Sequence, residues 1–219
     1  MEALIVKNIL SMKEAKNIKT LFLDIGRVLL TNGSGHESRN LAAEKFNLDV
    51  PEMGVRHGIA FESYELGKLT LEEYLNITVF HTERDFSKEE FRQFMFSQSQ
   101  PYPEMIELIK RLKKRYGLKV VAVSNEAREL NTYRIEEYAL AGFIDFFVSS
   151  TYVHLRKPDV DIYKLALDMA QSKPSETICL DDVPVFVNVA ESLGVKGICH
   201  INYETTCNKL QSFGFEIIL

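Results

Sequence analysis

Residues 19–32 read KTLFLDIGRVLLTN, and this segment gives the first indication of the architecture. An apolar run of strand type at residues 21–23 ends at the carboxylate of Asp24, and Gly26 follows two residues later. In an open parallel sheet, ligands bind beyond the carboxyl ends of the strands, so Asp24 is expected at the edge of a site. Gly26 permits a tight turn that brings its backbone carbonyl close to Asp24. Taken alone, an aspartate at this position is also typical of a helix cap or turn.

Length and composition describe an ordinary globular protein. The chain has 219 residues, 46% of them hydrophobic and 26% charged, which suits one core domain with an insertion. The net charge of -5 argues against a nucleic acid as the main partner, because binding to its backbone relies on clustered lysines and arginines. A small anion remains a possible ligand.

The cysteines and the apolar segments bear on the compartment. Three cysteines form no Cys-x-x-Cys pair, which favours reduced thiols in the core. No segment reaches the roughly 20 apolar residues that a membrane span needs, and residues 1–17 show neither a leader pattern nor recognisable chemistry. We therefore expect a cytoplasmic monomer or homodimer without a membrane or nucleic-acid partner.

The middle of the first half is predicted to be helical. Thr70 to Glu73 and Ser87 to Glu90 have capping-box spacing, and apolar residues at helical intervals follow both. We expect about four helices here, which form a helical cap at 33–99. The core then consists of residues 1–32 and 100–219.

Beyond Pro101 and Pro103 the pattern changes to alternating helices and strands. Such alternation predicts right-handed crossovers and a parallel sheet covered on both faces. The expected fold class is therefore α/β, a three-layer Rossmann-like parallel-sheet core with an inserted helical cap domain.

Later strand ends carry polar side chains as the first one does. Ser124 and Asn125 follow the second predicted strand, and Lys157 stands directly before a proline in a loop. Asp181 and Asp182 end the fourth strand, where two adjacent carboxylates are costly unless a cation, a proton or a lysine compensates. Without the first strand end, such a pair would be typical of a helix N-terminus. Together, these strand ends predict one site.

These residue types suit phosphoryl transfer. A carboxylate such as Asp24 can attack phosphorus as a nucleophile and form an aspartyl-phosphate. The carboxylates of Asp24 and Asp182 and the Gly26 carbonyl are hard oxygen ligands of the kind that Mg²⁺ prefers. Lys157 and the Ser124 hydroxyl would hold the remaining phosphoryl oxygens.

The order and spacing of these motifs resemble the haloacid dehalogenase-like (HAD) hydrolase superfamily. The resemblance spans residues 21–200 and implies a helical cap that covers the site and selects the substrate. It implies that Asp24 is the nucleophile, that Ser124 and Lys157 bind phosphate, and that Asp182 binds the metal directly, with Asp181 contributing indirectly. The motifs that carry it are Asp24-Ile-Gly-Arg-Val-Leu-Leu, Ser124-Asn125, Lys157-Pro158 and Asp181-Asp182.

One position departs from the family pattern. Most phosphatases of the family have a second aspartate two residues after the nucleophile, where this chain has Gly26. That aspartate acts as general acid and base, a contribution usually worth about 10²–10⁴-fold. Either Glu126, His154 or a cap residue supplies the proton, or the substrate has a good leaving group such as a sugar 1-phosphate or acyl phosphate, or catalysis is weak.

The substrate-binding residues are harder to predict, because no sequence motif marks the cap residues that contact a substrate. Asn125, Arg27 and Arg56 are the predicted substrate-binding residues. Further polar candidates for substrate contact in the cap, each also typical of ordinary surface, are His36, Arg39, His57 and Glu65.

The resulting hypothesis is a Mg²⁺-dependent phosphatase that hydrolyses a small phosphorylated metabolite, with sugar phosphates as one candidate class. One alternative is a 2-haloacid dehalogenase that uses the same Asp24 nucleophile without a metal. The other is a catalytically weak phosphate-binding protein, which the glycine at position 26 would favour.

Overall fold

A computed structural model describes Ala15 and residues 17–217, so most of residues 1–17 lie outside the described part. Its centre is a parallel sheet with the strand order β3-β2-β1-β4-β5, which confirms the predicted α/β fold class. The strands are β1 (Thr20–Leu23), β2 (Lys119–Ser124), β3 (Phe146–Ser149), β4 (Thr177–Asp181) and β5 (Lys196–Cys199).

The register of β1 brings the polar strand ends together. Leu23, the last residue of β1, pairs with Ala122 of β2 and with Leu180 of β4. Asp24 therefore follows β1 beside Asp181, and Ser124 ends β2 at the same edge of the sheet. The carboxyl ends of parallel strands meet in this way because all of them run in one direction.

Helices cover both faces of the sheet, since successive side chains of a strand point to opposite faces. Leu21 and Leu23 pack in one buried cluster and Phe22 in the other. The core helices are α5 (Pro103–Tyr116), α6 (Arg128–Glu137), α7 (Ser150–Val153), α8 (Val160–Ala170), α9 (Pro184–Ser192) and α10 (Tyr203–Ser212).

Four further helices lie between β1 and β2 in the described chain, as the helical periodicity predicted. Both capping boxes are present, with Thr70 accepting from the Glu73 amide and Ser87 from the Glu90 amide. The helices have a buried cluster of their own that includes Met53, Leu75 and Phe91. The exact limits of the cap, 33 and 99, stay a prediction. The cap helices are α1 (His36–Lys45), α2 (Val50–Glu65), α3 (Leu71–Thr78) and α4 (Lys88–Ser97).

The three cysteines are free thiols. Cys179 and Cys207 are buried, but the prediction that all three belong to the core is wrong for Cys199, which is exposed. Cys199 is the last residue of β5, which is an edge strand of the sheet in the described part of the chain. Within the described residues, no helix has the length and apolar character needed to cross a membrane.

A buried arginine of the core forms hydrogen bonds with both chain segments that connect the core to the cap. Arg134 of α6 is fully buried and donates to the carbonyls of Thr31 (3.0 Å) and Asn32, in the connection that leads to the cap. Its Nε atom donates to Ser99 Oγ (2.8 Å) in the returning connection, and Nη1 pairs with the Glu126 carboxylate. The Arg134 side chain therefore contacts both connections between core and cap and also the Glu126 carboxylate.

The substitution Arg134→Met is expected to lower the free energy of unfolding by about 3–5 kcal/mol, because it leaves a buried carboxylate without its cation. Chemical denaturation of both proteins measures the change. The control is Arg128→Met, an exposed position of the same helix, for which we expect a change within about 0.5 kcal/mol. Equal effects of the two substitutions would contradict the assigned role.

Candidate active site

A lysine lies at the centre of the site. The Nζ atom of Lys157 is 2.8 Å from Asp24 Oδ1 and 2.5 Å from Asp181 Oδ2, and the lysine side chain is only 2% exposed. A buried ammonium group needs such partners, because burial without them would cost several kcal/mol. The charge of Lys157 therefore joins the ends of β1 and β4.

The backbone of Lys157 is held by Asn125. The Asn125 side chain accepts a hydrogen bond from the Lys157 amide (2.8 Å) and donates one to the Lys157 carbonyl (2.9 Å). The peptide bond between Lys157 and Pro158 is cis. Asn125, predicted to bind substrate, thus positions the lysine, although it also lines the cleft.

The cluster carries more negative than positive charge. One carboxylate oxygen from each of Asp24, Asp181 and Asp182 lies within 4.8 Å of the other two. Burial, opposed by Lys157 and reinforced by Asp181, raises the pKa of Asp24 to about 6. Burial and the neighbouring Asp181 also raise the pKa of Asp182. Burial opposes charge on Lys157, but Asp24 and Asp181 outweigh it and raise the pKa of the ammonium group.

The donor set fits a hard divalent cation. Three carboxylates face the Lys157 ammonium group and the Arg27 guanidinium near Asp182, so the cluster keeps an excess of negative charge, and carboxylate oxygens are the ligands that Mg²⁺ prefers. Both oxygens of Asp181 already have partners, Lys157 and the Val183 amide (2.9 Å from Oδ1). Asp24 and the half-buried Asp182 therefore have the more available oxygens, and Gly26 lines the same cleft.

Ser124 is fully buried at the end of β2. Its Oγ atom has no hydrogen-bond partner within the described residues. An unsatisfied buried hydroxyl costs about 1–3 kcal/mol, and a bound phosphoryl oxygen is the kind of partner that would recover this cost.

The cleft around Asp24 has a volume of about 370 Å³ and lies between core and cap. Arg27 is exposed at its rim and has a positive φ of 58°. Of the cap candidates, Arg39 and Glu65 line the cleft, and Glu65 pairs with Arg156 of the core at 2.7 Å. Three residues of this region were missed by sequence reasoning, since no motif marks them: Phe61, Arg134 and Arg156.

Other predicted contacts lie elsewhere. Arg56 pairs with Glu52 at 3.0 Å and donates to the Ile77 carbonyl at 3.2 Å, so its guanidinium is engaged within the cap and does not line the cleft. An arginine one helical turn from a glutamate on an exposed face forms such a pair readily. His57 contacts Tyr74 Oη at 2.7 Å.

Two further histidines also lie away from the cleft lining. His36 contacts the Asn40 side chain at 3.3 Å, within its own helix. His154 Nδ1 lies 2.6 Å from the Leu66 carbonyl, at a contact between core and cap. Neither residue lines the cleft around Asp24. The position of His154 therefore gives no support to its candidacy as the missing proton donor.

Glu126 lies next to the position where the family's second aspartate would project. A Cβ atom built on Gly26 would be 3.9 Å from Glu126 Oε1 and 4.0 Å from Asp24 Oδ2. Glu126 lines the cleft, and its Oε2 atom is buried without a hydrogen-bond partner in the described part of the chain. Burial raises the pKa of Glu126 to about 7, although Arg134 opposes the rise.

The comparison with protein families agrees with this geometry. A family model for haloacid dehalogenase-like hydrolases matches residues 15–185. The chain belongs to this family. Two curated relatives are a bifunctional epoxide hydrolase 2 of Sus scrofa, 36% identical over 67 residues, and a flavin mononucleotide hydrolase of Arabidopsis thaliana, 25% identical over 162 residues. The matches cover 31% and 74% of this HAD-like chain, but only 12% and 65% of the relatives.

Solved structures share the fold of this HAD-like hydrolase. A HAD family enzyme of Bacteroides thetaiotaomicron in complex with magnesium and inorganic phosphate has a TM-score of 0.70 at 20% identity, over 83% of this chain and 93% of that one. An L-2-haloacid dehalogenase of Xanthobacter autotrophicus has a TM-score of 0.60 at 15% identity, over 89% of this chain and 83% of that one. At these identities the likeness shows the fold alone.

The acidic cluster predicts a measurable response to Mg²⁺. At a concentration one hundred times its Kd, a ligand of the folded state stabilises a protein by about 2.7 kcal/mol, so Mg²⁺ is expected to raise the Tm. Asp182→Asn replaces a negatively charged carboxylate with a neutral amide and is expected to weaken Mg²⁺ binding at least about tenfold. Calorimetric titration with Mg²⁺ measures the Kd. The exposed Asp168→Asn is the control, and an unchanged Kd in Asp182→Asn would contradict the assignment.

Proposed function

We propose that this HAD-like hydrolase is a Mg²⁺-dependent phosphatase that acts on a small phosphate monoester through Asp24. The observation that carries the proposal is the contact of one buried ammonium group, Lys157, with two carboxylates beside a third, at the carboxyl edge of a parallel sheet. This arrangement combines a carboxylate nucleophile with fixed positive charge, which phosphoryl transfer requires.

Asp24 is the proposed nucleophile. Its Oδ1 atom is held by Lys157, so the carboxylate is oriented and its Oδ2 atom is left to attack phosphorus. Attack releases the alcohol and leaves an aspartyl-phosphate on Asp24, which water then hydrolyses to inorganic phosphate and the free carboxylate. Lys157 and the unpaired Ser124 hydroxyl would hold phosphoryl oxygens during both displacements.

Mg²⁺ would be held by Asp24, Asp182 and the Gly26 carbonyl, with Asp181 fixing Lys157 beside it. When bound, the ion neutralises the excess negative charge that would otherwise repel a phosphate dianion. A HAD family enzyme of Bacteroides thetaiotaomicron with this fold was solved in complex with magnesium and inorganic phosphate, which supports these two ligands, though not the residues that hold them, as part of the proposal.

Glu126 is the proposed proton donor to the leaving alcohol. Its carboxyl group lines the cleft beside Asp24, close to where a side chain at position 26 would project. Its pKa of about 7 allows both protonation states near neutral pH. Arg134 holds one of its oxygens, so the carboxyl group is fixed in orientation.

The nucleophile assignment predicts that Asp24→Asn abolishes hydrolysis of 4-nitrophenyl phosphate while the fold is retained, because Lys157 keeps Asp181 as partner. Phosphate release with and without Mg²⁺ measures turnover, and Tm serves as the folding control. Turnover by the variant would refute the nucleophile. If the wild type instead releases chloride from 2-chloropropionate in the presence of EDTA, it is a dehalogenase, and if it turns over neither substrate, it is a phosphate-binding protein.

The proton-donor assignment predicts that Glu126→Gln acts selectively. Hydrolysis of ethyl phosphate, whose alcohol needs a proton, is expected to fall about 10²–10⁴-fold in kcat. Hydrolysis of 4-nitrophenyl phosphate, whose leaving group is stable as an anion, is expected to fall far less. Glu136→Gln, at an exposed position of α6, the helix that follows Glu126, is the control. An equal loss for both esters would indicate a purely structural role of Glu126.

A further inference from the structure

The catalytic cleft adjoins a second cavity beneath the cap. The cavity has a volume of about 70 Å³, and much of its wall is apolar, with Met53, Leu75, Phe91 and Met95 from the cap and Leu130 from the core. The residues that line both the cavity and the cleft are Ser34, Arg39, Phe61, Glu65, Asn125 and Glu126.

The position of the cavity relative to the nucleophile indicates what occupies it. A phosphoryl group on Asp24 lies in the cleft, and Glu126, beside Asp24, forms part of the boundary with the cavity. Because the cleft and the cavity share wall residues, the leaving group of a phosphate ester on Asp24 would extend past Glu126 and Phe61 toward this space. We infer that the ester hydrolysed here carries a compact apolar leaving group, an inference that rests on the proposed phosphatase function.

Polar groups in the cavity wall already have partners within the protein. Thr78 Oγ1 donates to the Tyr74 carbonyl at 2.8 Å, and Tyr74 Oη contacts His57 Nδ1 at 2.7 Å. Tyr64 Oη donates to Glu129 at 3.1 Å. Since these hydroxyls are already engaged, the wall offers the hydroxyl groups of a sugar few further hydrogen bonds, and an unpaired buried polar group costs about 1–3 kcal/mol.

Two of the three charged residues at the boundary, Arg39 and Glu65, are engaged in the same way. Arg39 donates to the Ser34 carbonyl at 2.8 Å, and Glu65 pairs with Arg156 at 2.7 Å. The cavity wall therefore favours burial of methyl and methylene groups. The inferred substrates, phosphate esters of compact apolar alcohols, differ from the sugar phosphates that the sequence suggested as one candidate class.

The size of the cavity limits the leaving group. A cavity needs at least about 10–15 Å³ to hold one water-sized group, so a space of about 70 Å³ holds at most about five to seven such groups. The five carbons of a branched five-carbon alcohol, whose oxygen stays beside the phosphorus in the cleft, fit within this limit. Because each buried methylene is worth about a fourfold gain in binding, burial of about three to four of these carbons is expected to raise kcat/KM about 10²-fold.

The experiment compares three substrates on the wild-type enzyme with Mg²⁺: 3-methylbutyl phosphate, glycerol 1-phosphate and acetyl phosphate. We expect kcat/KM for 3-methylbutyl phosphate to exceed that for glycerol 1-phosphate about 10²-fold. Acetyl phosphate has a small leaving group and tests the phosphatase function independently of the cavity. Turnover of acetyl phosphate with an equal or higher rate for glycerol 1-phosphate would overturn the inferred class, whereas turnover of none of the three would overturn the phosphatase itself.

A variant links the preference to the cavity. Met95→Gln places an amide in the apolar wall, and we expect the ratio of kcat/KM for 3-methylbutyl phosphate to that for acetyl phosphate to fall about tenfold. Met169→Gln makes the same chemical change at a residue that is 49% exposed on α8, and the ratio is expected to stay constant. An unchanged ratio in Met95→Gln would contradict the proposed position of the leaving group, and acetyl phosphate turnover by the same sample verifies that the variant is folded.

Discussion

One buried ammonium group organises the core of this protein. Lys157 is almost inaccessible to solvent and lies between the carboxylates that follow β1 and end β4. Neither carboxylate could be buried at this sheet edge without a cation, and the lysine could not be buried without them. The fold therefore places loops from distant parts of the chain against one another, and Asn125 fixes the lysine backbone from a third strand end.

A second buried cation, Arg134, makes similar contacts where the cap joins the core. Arg134 contacts both connections of the cap and the carboxylate of Glu126, so the position of the cap and the position of the proposed proton donor share one anchor. Movement of the cap hinges would change the environment of Glu126 directly. If Glu126 is the proton donor, cap position and acid chemistry would be coupled through Arg134.

The two charged networks meet at Gly26. A Cβ atom there would be 3.8 Å from Arg134, 3.9 Å from Glu126 and 4.0 Å from Asp24, so a methyl group would make ordinary contacts. A carboxylate at position 26 would instead face two other carboxylates in a buried site, where like charges raise one another's pKa. Gly26 therefore avoids charge repulsion with the Glu126 carboxylate. Most phosphatases of the family have an aspartate at this position, whereas here the nearby carboxyl group belongs to Glu126, which follows β2.

The sequence by itself determined the sheet, the cap helices and the strand-end residues, because periodicity, capping boxes and polar residues after apolar runs are local signals. Asp24, Ser124 and Asp182 could be predicted to lie together because parallel strands end at one edge, whereas Lys157, in a loop, was predicted to join them from the order of the motifs. Only the tertiary structure decided which cap residues reach the cleft: Arg39 and Glu65 do, whereas Arg56 pairs with Glu52 in its own helix. Helix packing sets such side-chain directions, and nothing in the local pattern around Arg134 distinguishes a buried clamp from an exposed arginine. The apolar cavity is likewise a property of packing, because its wall combines residues from four cap segments and the core that are far apart in the chain.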